Sequence, residues 1–233
     1  MNWKIVHIDE TDSTNRWLRE HGGEEDMVVV ADYQTAGRGQ GTNRWESERG
    51  KNLTFSVLVH PVGLAANRQF HLSMAVSLAC VDALGEYIGD LSIKWPNDLY
   101  WRNGKLGGIL IEHRLHGTAI RDSIIGVGLN VNQRTFRSDA PNPVSLWQIC
   151  GQETDRDHLL RDIVERFGRY LGSDVKERYL SMLYRRRGYH PYVDADGPFM
   201  AEQAGVEDDG HLLLRDDDGR LRRYAFKQVQ FVL

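Results

Sequence analysis

Apolar residues along the chain form short runs typical of strands and one long stretch with helical spacing. The segments 3–8, 27–33 and 52–59 are rich in aliphatic and β-branched residues and have the length of strands. In residues 67–88 the apolar side chains stand three or four positions apart, which predicts a central buried helix. These side chains are Phe70, Met74, Leu78, Val81, Leu84 and Ile88.

Local signals mark where further elements begin and end. Asp12 and Ser13 offer an N-cap for a short helix that runs to Arg19. Residues 92–95 form a short predicted strand that Pro96 ends, because proline lacks a backbone donor and biases the preceding residue toward extended geometry. The first half of the chain therefore mixes strands with helices.

The pattern in the second half continues the sheet and then changes near Gly188. Residues 105–114 and 122–131 are predicted to complete the sheet, and residues 157–186 to form a long amphipathic helix or a pair of helices. Beyond Gly188, four short predicted strands alternate with Asp-Gly turns, the pattern of a small β-barrel or sandwich. Those strands are residues 199–206, 211–215, 221–226 and 229–232.

Length and composition agree with one large domain followed by a small one. The chain has 233 residues, of which 41% are hydrophobic and 27% charged, and this is enough apolar material for a substantial core. Together with the pattern of elements, it predicts an α+β protein. A mixed sheet packed with helices would occupy residues 1–188, and a small β-barrel residues 189–233.

Charge and cysteine usage restrict the environment and the partners. A net charge of −4 and a pI near 6.1 give no general attraction to nucleic acid or to anionic membranes. Cys80 and Cys150 are far apart and lack metal-ligand or redox spacing, which favours two free thiols in a reducing compartment. The sequence shows neither an apolar signal core nor a stretch of membrane-spanning length. We therefore expect a cytoplasmic protein that binds neither nucleic acid nor membrane.

The first candidate for chemistry is a lysine in the segment from Lys94 to Glu112. This segment reads KWPNDLYWRNGKLGGILIE, and its Asn103-Gly104 pair predicts a turn between two apolar segments that form a hairpin. Lys105 follows that turn directly. An isolated lysine at a hairpin tip is usually an ordinary solvated side chain, so its interpretation depends on a second unusual segment.

That second segment is a glycine-rich loop at the end of the strand predicted for residues 27–33. Gly37, Gly39 and Gly41 stand at alternate positions, and Arg38 lies among them. Glycines let backbone amides approach a ligand closely, and amides in such a bend form an anion-binding concavity. Arg38 adds a planar fork suited to phosphate or carboxylate. The spacing matches neither a P-loop nor the dinucleotide fingerprint. Taken alone, such a segment is more often a flexible surface loop, and a phosphate-bearing ligand is the functional alternative.

Arg38 and Lys105 together point to a reaction in which two anions meet. A carboxylate that attacks the α-phosphate of a nucleotide is repelled by negative charge, and fixed cations lower that barrier. Adenylation of a carboxylic acid fits these residues.

Polar side chains elsewhere could bind the rest of such a substrate. Ser13-Thr14-Asn15 stands at a helix start, where it either caps the helix or binds a ligand. Gln34 ends a buried strand, and its amide needs a partner that a polar ring of a ligand would supply. The segment 126–132 ends another strand with small residues, which indicates a close approach by another group.

The chain resembles the biotin protein ligases over nearly its whole length, and its motifs occur in that family's order. They are Ser13-Thr14-Asn15, Gln34, Gly37-Arg38-Gly39, Trp45, Lys94-Trp95-Pro96-Asn97-Asp98, Lys105 with Gly108, and Gly126 to Asn130. The resemblance implies the class II synthetase-like catalytic domain of biotin and lipoate ligases. It also implies two steps: biotin and MgATP form biotinyl-5′-AMP and pyrophosphate, and a lysine of a biotin carboxyl carrier domain then attacks the mixed anhydride.

The resemblance assigns roles to individual residues. Lys105 would contact the biotin carboxylate and the α-phosphate, and Arg38 would be the second catalytic residue. The biotin site would consist of Ser13, Thr14, Asn15, Gln34, Gly37, Arg38, Gly39, Lys105 and Gly108. The ATP or adenylate site would consist of Arg38, Gly39, Gln40, Trp45, Asn97, Lys105 and Asn130. Asn97 or Asp98 would orient Mg²⁺ or pyrophosphate.

The chain departs from the family pattern beside the glycine-rich loop. Relatives commonly carry a further basic residue and then a glycine soon after Gly-Arg-Gly, whereas Gln40-Gly41-Thr42-Asn43 stands here. We expect residues 37–50 to become ordered when ligand binds. Some relatives carry an N-terminal DNA-binding domain, but Ser13 lies so close to Met1 that we expect ligase without repressor activity.

Two other functions stay open at this point. A lipoate or octanoate ligase would share the fold and a similar lysine, but its Arg-Arg pair before Gly-Gly-Gly and its downstream His-Asp are not found in this sequence. An adenylate-binding regulator without catalysis is the second alternative. The expected partner is the carrier domain of a biotin-dependent carboxylase, and the protein is a monomer or a homodimer.

Overall fold

The computed structural model of the protein describes residues 3–41, 43–137 and 141–232, which form twelve β-strands and five α-helices. In chain order the strands are β1 (Lys4–Thr11), β2 (Met27–Gln34), β3 (Leu53–Val59), β4 (Leu91–Lys94), β5 (Asp98–Trp101), β6 (Gly104–His116), β7 (Ala119–Leu129), β8 (His190–Asp194), β9 (Gly197–Val206), β10 (Leu212–Asp216), β11 (Leu221–Tyr224) and β12 (Gln230–Phe231). The helices are α1 (Thr14–His21), α2 (Phe70–Leu84), α3 (Leu146–Cys150), α4 (Arg156–Tyr170) and α5 (Lys176–Ser181).

Seven strands form a mixed sheet in the order β1-β2-β3-β7-β6-β5-β4. β1 and β2 pair in parallel, and the other neighbours pair antiparallel. Helices cover both faces, because successive side chains of a strand point to opposite sides. In β2, Val28 and Val30 belong to the core that contains α2 and α4, whereas Met27 and Val29 belong to the core that contains Leu18 of α1. The predicted mixed sheet packed with helices is confirmed.

The remaining five strands form an antiparallel sheet in the order β11-β10-β9-β8-β12. This sheet packs beside the edge of the first one, where the Trp95 indole Nε1–H donates to the Gly210 carbonyl at 2.9 Å. The ammonium of Lys94 lies 5.5 Å from the ring centre of Phe231 in β12. The small β-rich unit at the C-terminal end is thus present, and its first strand begins at His190. The domain boundary near residue 188 stays a prediction.

The hairpin that carries Lys105 turns one residue earlier than predicted. Its two-residue loop is Arg102-Asn103, and Gly104 already pairs with Trp101 as the first residue of β6. The left-handed position of this turn is Arg102, with a φ of 50°. The Asn-Gly pair therefore indicated a turn correctly but not its register, because pairing of the flanking strands determines where the loop closes.

Several helices differ in extent from the sequence pattern. The central helix α2 is shorter than residues 67–88, since it follows a 3₁₀ turn over Ala66–Arg68 and ends before Gly85. The helical stretch predicted for residues 157–186 is the pair α4 and α5, and α4 begins one residue earlier than predicted. The periodicity does not predict α3, although Ser145 and Gln148 form a capping box at its start. None of the helices in the described ranges is long and apolar enough to cross a bilayer.

Candidate functional site

A cleft of about 730 Å³ opens where the first sheet meets residues 226–231 of the second. Its other walls are the first turn of α1, the end of β2, the glycine loop and the β5–β6 hairpin. The glycine loop is defined here by its described residues, 37–41 and 43–45. Most of the predicted site residues line this cleft. They are Ser13, Thr14, Asn15, Gln34, Arg38, Gly39, Gln40, Trp45, Asn97, Asp98, Lys105 and Gly108.

The first turn of α1 forms a buried polar network at one end of the cleft. The Thr14 backbone N–H donates to Gln34 Oε1 at 2.8 Å, and the Thr14 hydroxyl lies 3.2 Å from the same oxygen. The Ser56 hydroxyl lies 2.7 Å from Thr14 Oγ1 and 2.6 Å from Asn15 Oδ1. Ser13 is the N-cap residue, but its side chain does not cap the helix. The side chains of this network therefore hold one another in place. If the segment served only to cap the helix, such a network would not be required.

Glu112 connects this network to the arginines beside it. Its carboxylate accepts from Asn15 Nδ2 at 2.9 Å and from Arg19 at 2.6 Å, and the Arg38 guanidinium lies 4.0 Å away. Its side chain is 27% exposed, so the charge is partly shielded from water. Glu112 thus orients the Asn15 amide and attracts Arg38 toward the same end of the cleft.

The glycine loop folds back on itself as a small hairpin. Gly39 N–H donates to the Asn43 carbonyl at 2.8 Å, and Trp45 N–H donates to the Gly37 carbonyl at 2.9 Å. A Cβ on Gly37 would lie 2.6 Å from the Trp45 carbonyl oxygen, so a side chain there would force this hairpin apart. Gly41 has a φ of +68°, in the left-handed region that favours glycine.

The indole of Trp45 lies inside the cleft against two glycines. A Cβ on Gly128 would lie 2.5 Å from Trp45 Cε2, and one on Gly108 would lie 3.6 Å from Trp45 Cζ3. The Trp45 Nε1–H is buried and has no hydrogen-bond partner among the described residues. The close approach that the small residues of segment 126–132 predict is therefore made by Trp45 of the glycine loop at Gly128, and by the Asn15 side chain of α1 at Gly126.

Lys105 and Asp98 form an ion pair in the wall of the cleft. Lys105 Nζ lies 2.7 Å from Asp98 Oδ1, and the two side chains are 27% and 24% exposed. Beside this pair, Asn97 Nδ2 donates to Gln40 Oε1 at 3.2 Å and to the Ile109 carbonyl. The Lys94–Asp98 motif and the glycine loop, which are far apart in the sequence, thus meet across the cleft.

Lys94 is a cleft residue that sequence reasoning did not assign to the site. Its ammonium lies 3.2 Å from the Tyr100 hydroxyl and 5.1 Å from the centre of the Tyr100 ring. Burial lowers the pKa of Lys94 below its ordinary value, Asp98 raises it, and Lys105 lowers it further. In the sequence, the one indication of Lys94 is its place as the first residue of the Lys94–Asp98 motif.

Two predicted site residues lie outside the cleft lining, and others were missed. Gly37 is buried in the loop hairpin, and Asn130 is buried behind Lys105, where its Nδ2 donates to the Val144 carbonyl at 3.1 Å. Asn130 therefore supports the cleft wall from behind. The missed residues are Ser56, Glu112, Lys94 and residues 226–231, and hydroxyl or acidic residues in regular strands carry no local signal of a site.

Few groups at the cleft could hold a metal ion. Asp98 is the one carboxylate among the described residues that line it, and Asn97 stands next to it. Glu207, Asp209 and His211 cluster elsewhere, on the second sheet. Arg223 already contacts all three, at 2.6 Å from Glu207, 2.8 Å from Asp209 and 3.0 Å from His211 Nδ1.

Comparison with known proteins places the chain in a family. Residues 7–130 match the biotin/lipoate A/B protein ligase family. The chain is 30% identical over 241 residues to the bifunctional ligase/repressor BirA of Bacillus subtilis, across 97% of this chain and 73% of that protein. It is 31% identical over 204 residues to the biotin–acetyl-CoA-carboxylase ligase of Mycobacterium tuberculosis, across 79% of this chain and 74% of that one.

A solved structure has the same fold. The biotin protein ligase of Aquifex aeolicus in complex with biotin and ATP superimposes with a TM-score of 0.81 and 25% identity, covering 98% of this chain and 99% of that one. The sequence match and the shared fold agree with the motifs assembled at the cleft. The protein belongs to the biotin/lipoate A/B protein ligase family.

Proposed function

We infer that the protein is a biotin protein ligase, which activates biotin with MgATP to biotinyl-5′-AMP and transfers biotin to a lysine of a carrier domain. The observation that carries this inference is that a polar network and a pair of cationic side chains lie in one cleft. The Ser13–Asn15 network with Gln34 forms one end, and Lys105 with Arg38 supplies cations near it. The relatives named as biotin ligases support the choice of substrate.

The network at α1 suits the ureido ring of biotin. Among the described residues, neither the Ser13 hydroxyl nor Gln34 Nε2 has a hydrogen-bond partner, whereas Gln34 Oε1 is held by Thr14. A ring with a carbonyl acceptor and N–H donors would pair with such groups. Because the network is buried and already oriented, little entropy would be lost when it binds the ligand.

The cations of the cleft suit the adenylation step. A biotin carboxylate oxygen forms a bond to the α-phosphorus while the bond from that phosphorus to the bridging oxygen breaks, and pyrophosphate leaves. Lys105 and Arg38 would offset the negative charge that accumulates between the two anions. Asp98 positions the Lys105 ammonium at 2.7 Å, so that it is preorganised in the wall before substrate arrives.

The second step uses the same end of the cleft. The amine of the carrier lysine attacks the acyl carbon of biotinyl-5′-AMP, the bond to the phosphate oxygen breaks, and AMP leaves with that electron pair. The amine loses a proton as the amide forms. Lys105 would stabilise the developing acyl oxyanion by the same charge it provides in the first step.

The residues present agree with a magnesium ion that is held chiefly by the substrate's phosphates. Mg²⁺ usually keeps several waters and takes only one or two protein carboxylates at nucleotide sites. Asp98, or Asn97 beside it, would provide that protein contact. When bound, the ion neutralises phosphate charge, and the residues of this chain orient the two substrates.

Several properties of the protein stay proposals beside this function. The expected partner is the carrier domain of a biotin-dependent carboxylase, and we propose a cytoplasmic location without binding to nucleic acid or membrane. The absence of repressor activity also stays a prediction. Both a monomer and a homodimer remain compatible with the proposed chemistry.

The test is biotin- and ATP-dependent labelling of a carboxylase carrier domain, with pyrophosphate release followed in parallel. We expect the Lys105→Ala variant to lose activity about 10²–10³-fold, as removal of one preorganised electrostatic group does. Lys4→Ala, which removes an exposed lysine of β1, is the control. Labelling with lipoate or octanoate in place of biotin would support the rival ligase, and adenylate binding without pyrophosphate release would support the regulator.

A further inference from the structure

Lys227 of the second sheet reaches the glycine loop of the first. It stands at the tip of the turn between β11 and β12, which is closed by two hydrogen bonds. Ala225 N–H donates to Gln228 Oε1 at 2.7 Å, and Gln228 N–H donates to the Ala225 carbonyl at 3.1 Å. Lys227 takes a left-handed φ of 68° in this turn, which a lysine adopts only where the surroundings favour it.

Packing fixes the position of this turn relative to the cleft. The ring of Phe226 lies 6.3 Å from the Trp95 ring, centre to centre. The other side of the Trp95 side chain is held by its hydrogen bond to the Gly210 carbonyl. Because Trp95 belongs to the motif that forms the cleft wall, the turn that carries Lys227 is attached to the site itself.

The Lys227 side chain ends beside Gly41 of the glycine loop. Lys227 Nζ lies 2.5 Å from the position of a Cβ on Gly41, and Lys227 Cε lies 3.6 Å from it. An alanine at 41 would meet the ammonium directly and would also occupy a left-handed φ of +68°. The Lys227 ammonium therefore lies against the tip of the glycine loop, and as the end of an exposed, flexible side chain it can shift to meet a ligand.

Unlike most other cationic side chains of the cleft, Lys227 is available to bind an anionic ligand. Lys105 is paired with Asp98, Arg38 is attracted by Glu112, and Lys94 is partly buried against Tyr100. Lys227 is exposed, lines the cleft and forms no ion pair with any carboxylate in the described ranges.

The tip of the glycine loop supplies little charge of its own. Between Arg38 and Arg44, the described side chains of the loop that line the cleft are the neutral Gln40 and Asn43. Arg44 is also exposed, but it lies on the loop, whereas Lys227 comes from the opposite wall.

We propose that Lys227 binds the β- and γ-phosphates of the nucleotide, so that the second sheet completes the triphosphate site when the glycine loop lies over it. This proposal rests on the proposed ligase function. Lys105 and Arg38 serve the α-phosphate, and the two outer phosphates carry most of the remaining charge. Lys227 then stabilises pyrophosphate as it leaves, and it has no part in the transfer step, because biotinyl-5′-AMP lacks those phosphates.

The test compares Lys227→Gly, Lys227→Gln and Lys227→Arg with the wild type. Lys227→Gly removes the charge and keeps the left-handed backbone free of strain, so loss of function in it does not reflect a damaged turn. We expect the KM for ATP and the calorimetric Kd for a non-hydrolysable ATP analogue to rise about tenfold in the Gly and Gln variants, as loss of one charge-assisted hydrogen bond implies. Lys227→Arg should restore most of the affinity. Lys4→Gln, with the same loss of charge on β1, should change neither value.

Three further readouts separate this role from a structural one. The Kd for biotin alone and the single-turnover transfer of biotin from preformed biotinyl-5′-AMP should be unchanged in Lys227→Gly. Inhibition by added inorganic pyrophosphate should weaken in the same variant. An unchanged affinity for the ATP analogue, or an equal loss in the transfer step, would overturn the proposal. A wild-type protein without biotin-dependent pyrophosphate release would instead refute the ligase function.

Discussion

The indole of Trp45 packs on the bare backbone of Gly128, where a Cβ would lie only 2.5 Å from the ring atom Cε2. Trp45 belongs to the glycine loop and Gly128 to β7, so this contact joins the loop to the floor of the cleft. The indole Nε1–H is buried without a partner among the described residues. The contact thus depends on shape and not on hydrogen bonding.

Substitution of Gly128 should displace Trp45. We expect Gly128→Ala to move the indole toward solvent, to shift its fluorescence to longer wavelength and to lower the rate of adenylation at least tenfold. If the indole stays in place, overpacking should instead lower the free energy of unfolding by about 1–3 kcal/mol. Gly89→Ala is the matched control, since a Cβ at Gly89 has no neighbour within 4 Å. Unchanged fluorescence, stability and rate in Gly128→Ala would contradict the contact.

Glu112 should act as a positioning residue for the biotin end of the cleft. Its carboxylate holds the Asn15 amide at 2.9 Å and lies 4.0 Å from Arg38. Glu112→Gln keeps the size of the side chain and removes its charge, and we expect the Kd for biotin to rise about tenfold, in line with the loss of charge-assisted hydrogen bonds. The measurement is calorimetric titration with biotin.

A variant of Arg19 is the control for Glu112→Gln. Arg19 also contacts Glu112, at 2.6 Å, but does not line the cleft. Arg19→Gln should therefore leave the Kd for biotin within about twofold of the wild-type value, as expected for an exposed ion pair. Equal losses in both variants would show that Glu112 acts only through local stability.

The second sheet should lose stability in acid through Asp216. Hydrogen bonds from Arg222 at 2.8 Å and from the Arg220 N–H at 2.7 Å lower the pKa of Asp216 below its ordinary value. A carboxyl whose pKa is lower in the folded than in the unfolded state stabilises the fold above its unfolded pKa of about 3.9. That contribution disappears as the pH falls through the lower, folded value.

Denaturation by urea between pH 2 and pH 6 tests this expectation. The wild-type midpoint should fall steeply below about pH 4, the unfolded value of an aspartate. Asp216→Asn should have a lower midpoint at pH 6 and a weaker dependence on acid. Asp217→Asn removes the same charge from the exposed neighbouring residue and should follow the wild type. Parallel curves for Asp216→Asn and the wild type would contradict the role of this carboxyl.

The sequence predicted most of the fold where local patterns decide structure. The aliphatic run of β2 and the long apolar segment of α2 are both present, and each is buried on both faces or on nearly all sides, as continuous apolar segments of these lengths predict. The prediction was wrong where strand pairing overrides the local turn preference of the residues, as in the hairpin loop at Arg102-Asn103. Helix α3 was not predicted, because its five residues are too few for a periodic pattern.

The chain by itself determined which chemistry is available. Arg38 among alternate glycines, Lys105 after a turn and Ser13-Thr14-Asn15 before a helix are local patterns whose residue types limit the possible ligands. Only the tertiary structure decided which other residues join them. Trp45 over Gly128 and Lys227 at Gly41 come together in the cleft, and Ser56 and Glu112 contact its lining residue Asn15 from behind. These contacts arise from strand pairing and sheet packing between segments that are remote in sequence. A distance between remote segments is not encoded in either segment alone, since it follows from the register and packing of the whole sheet.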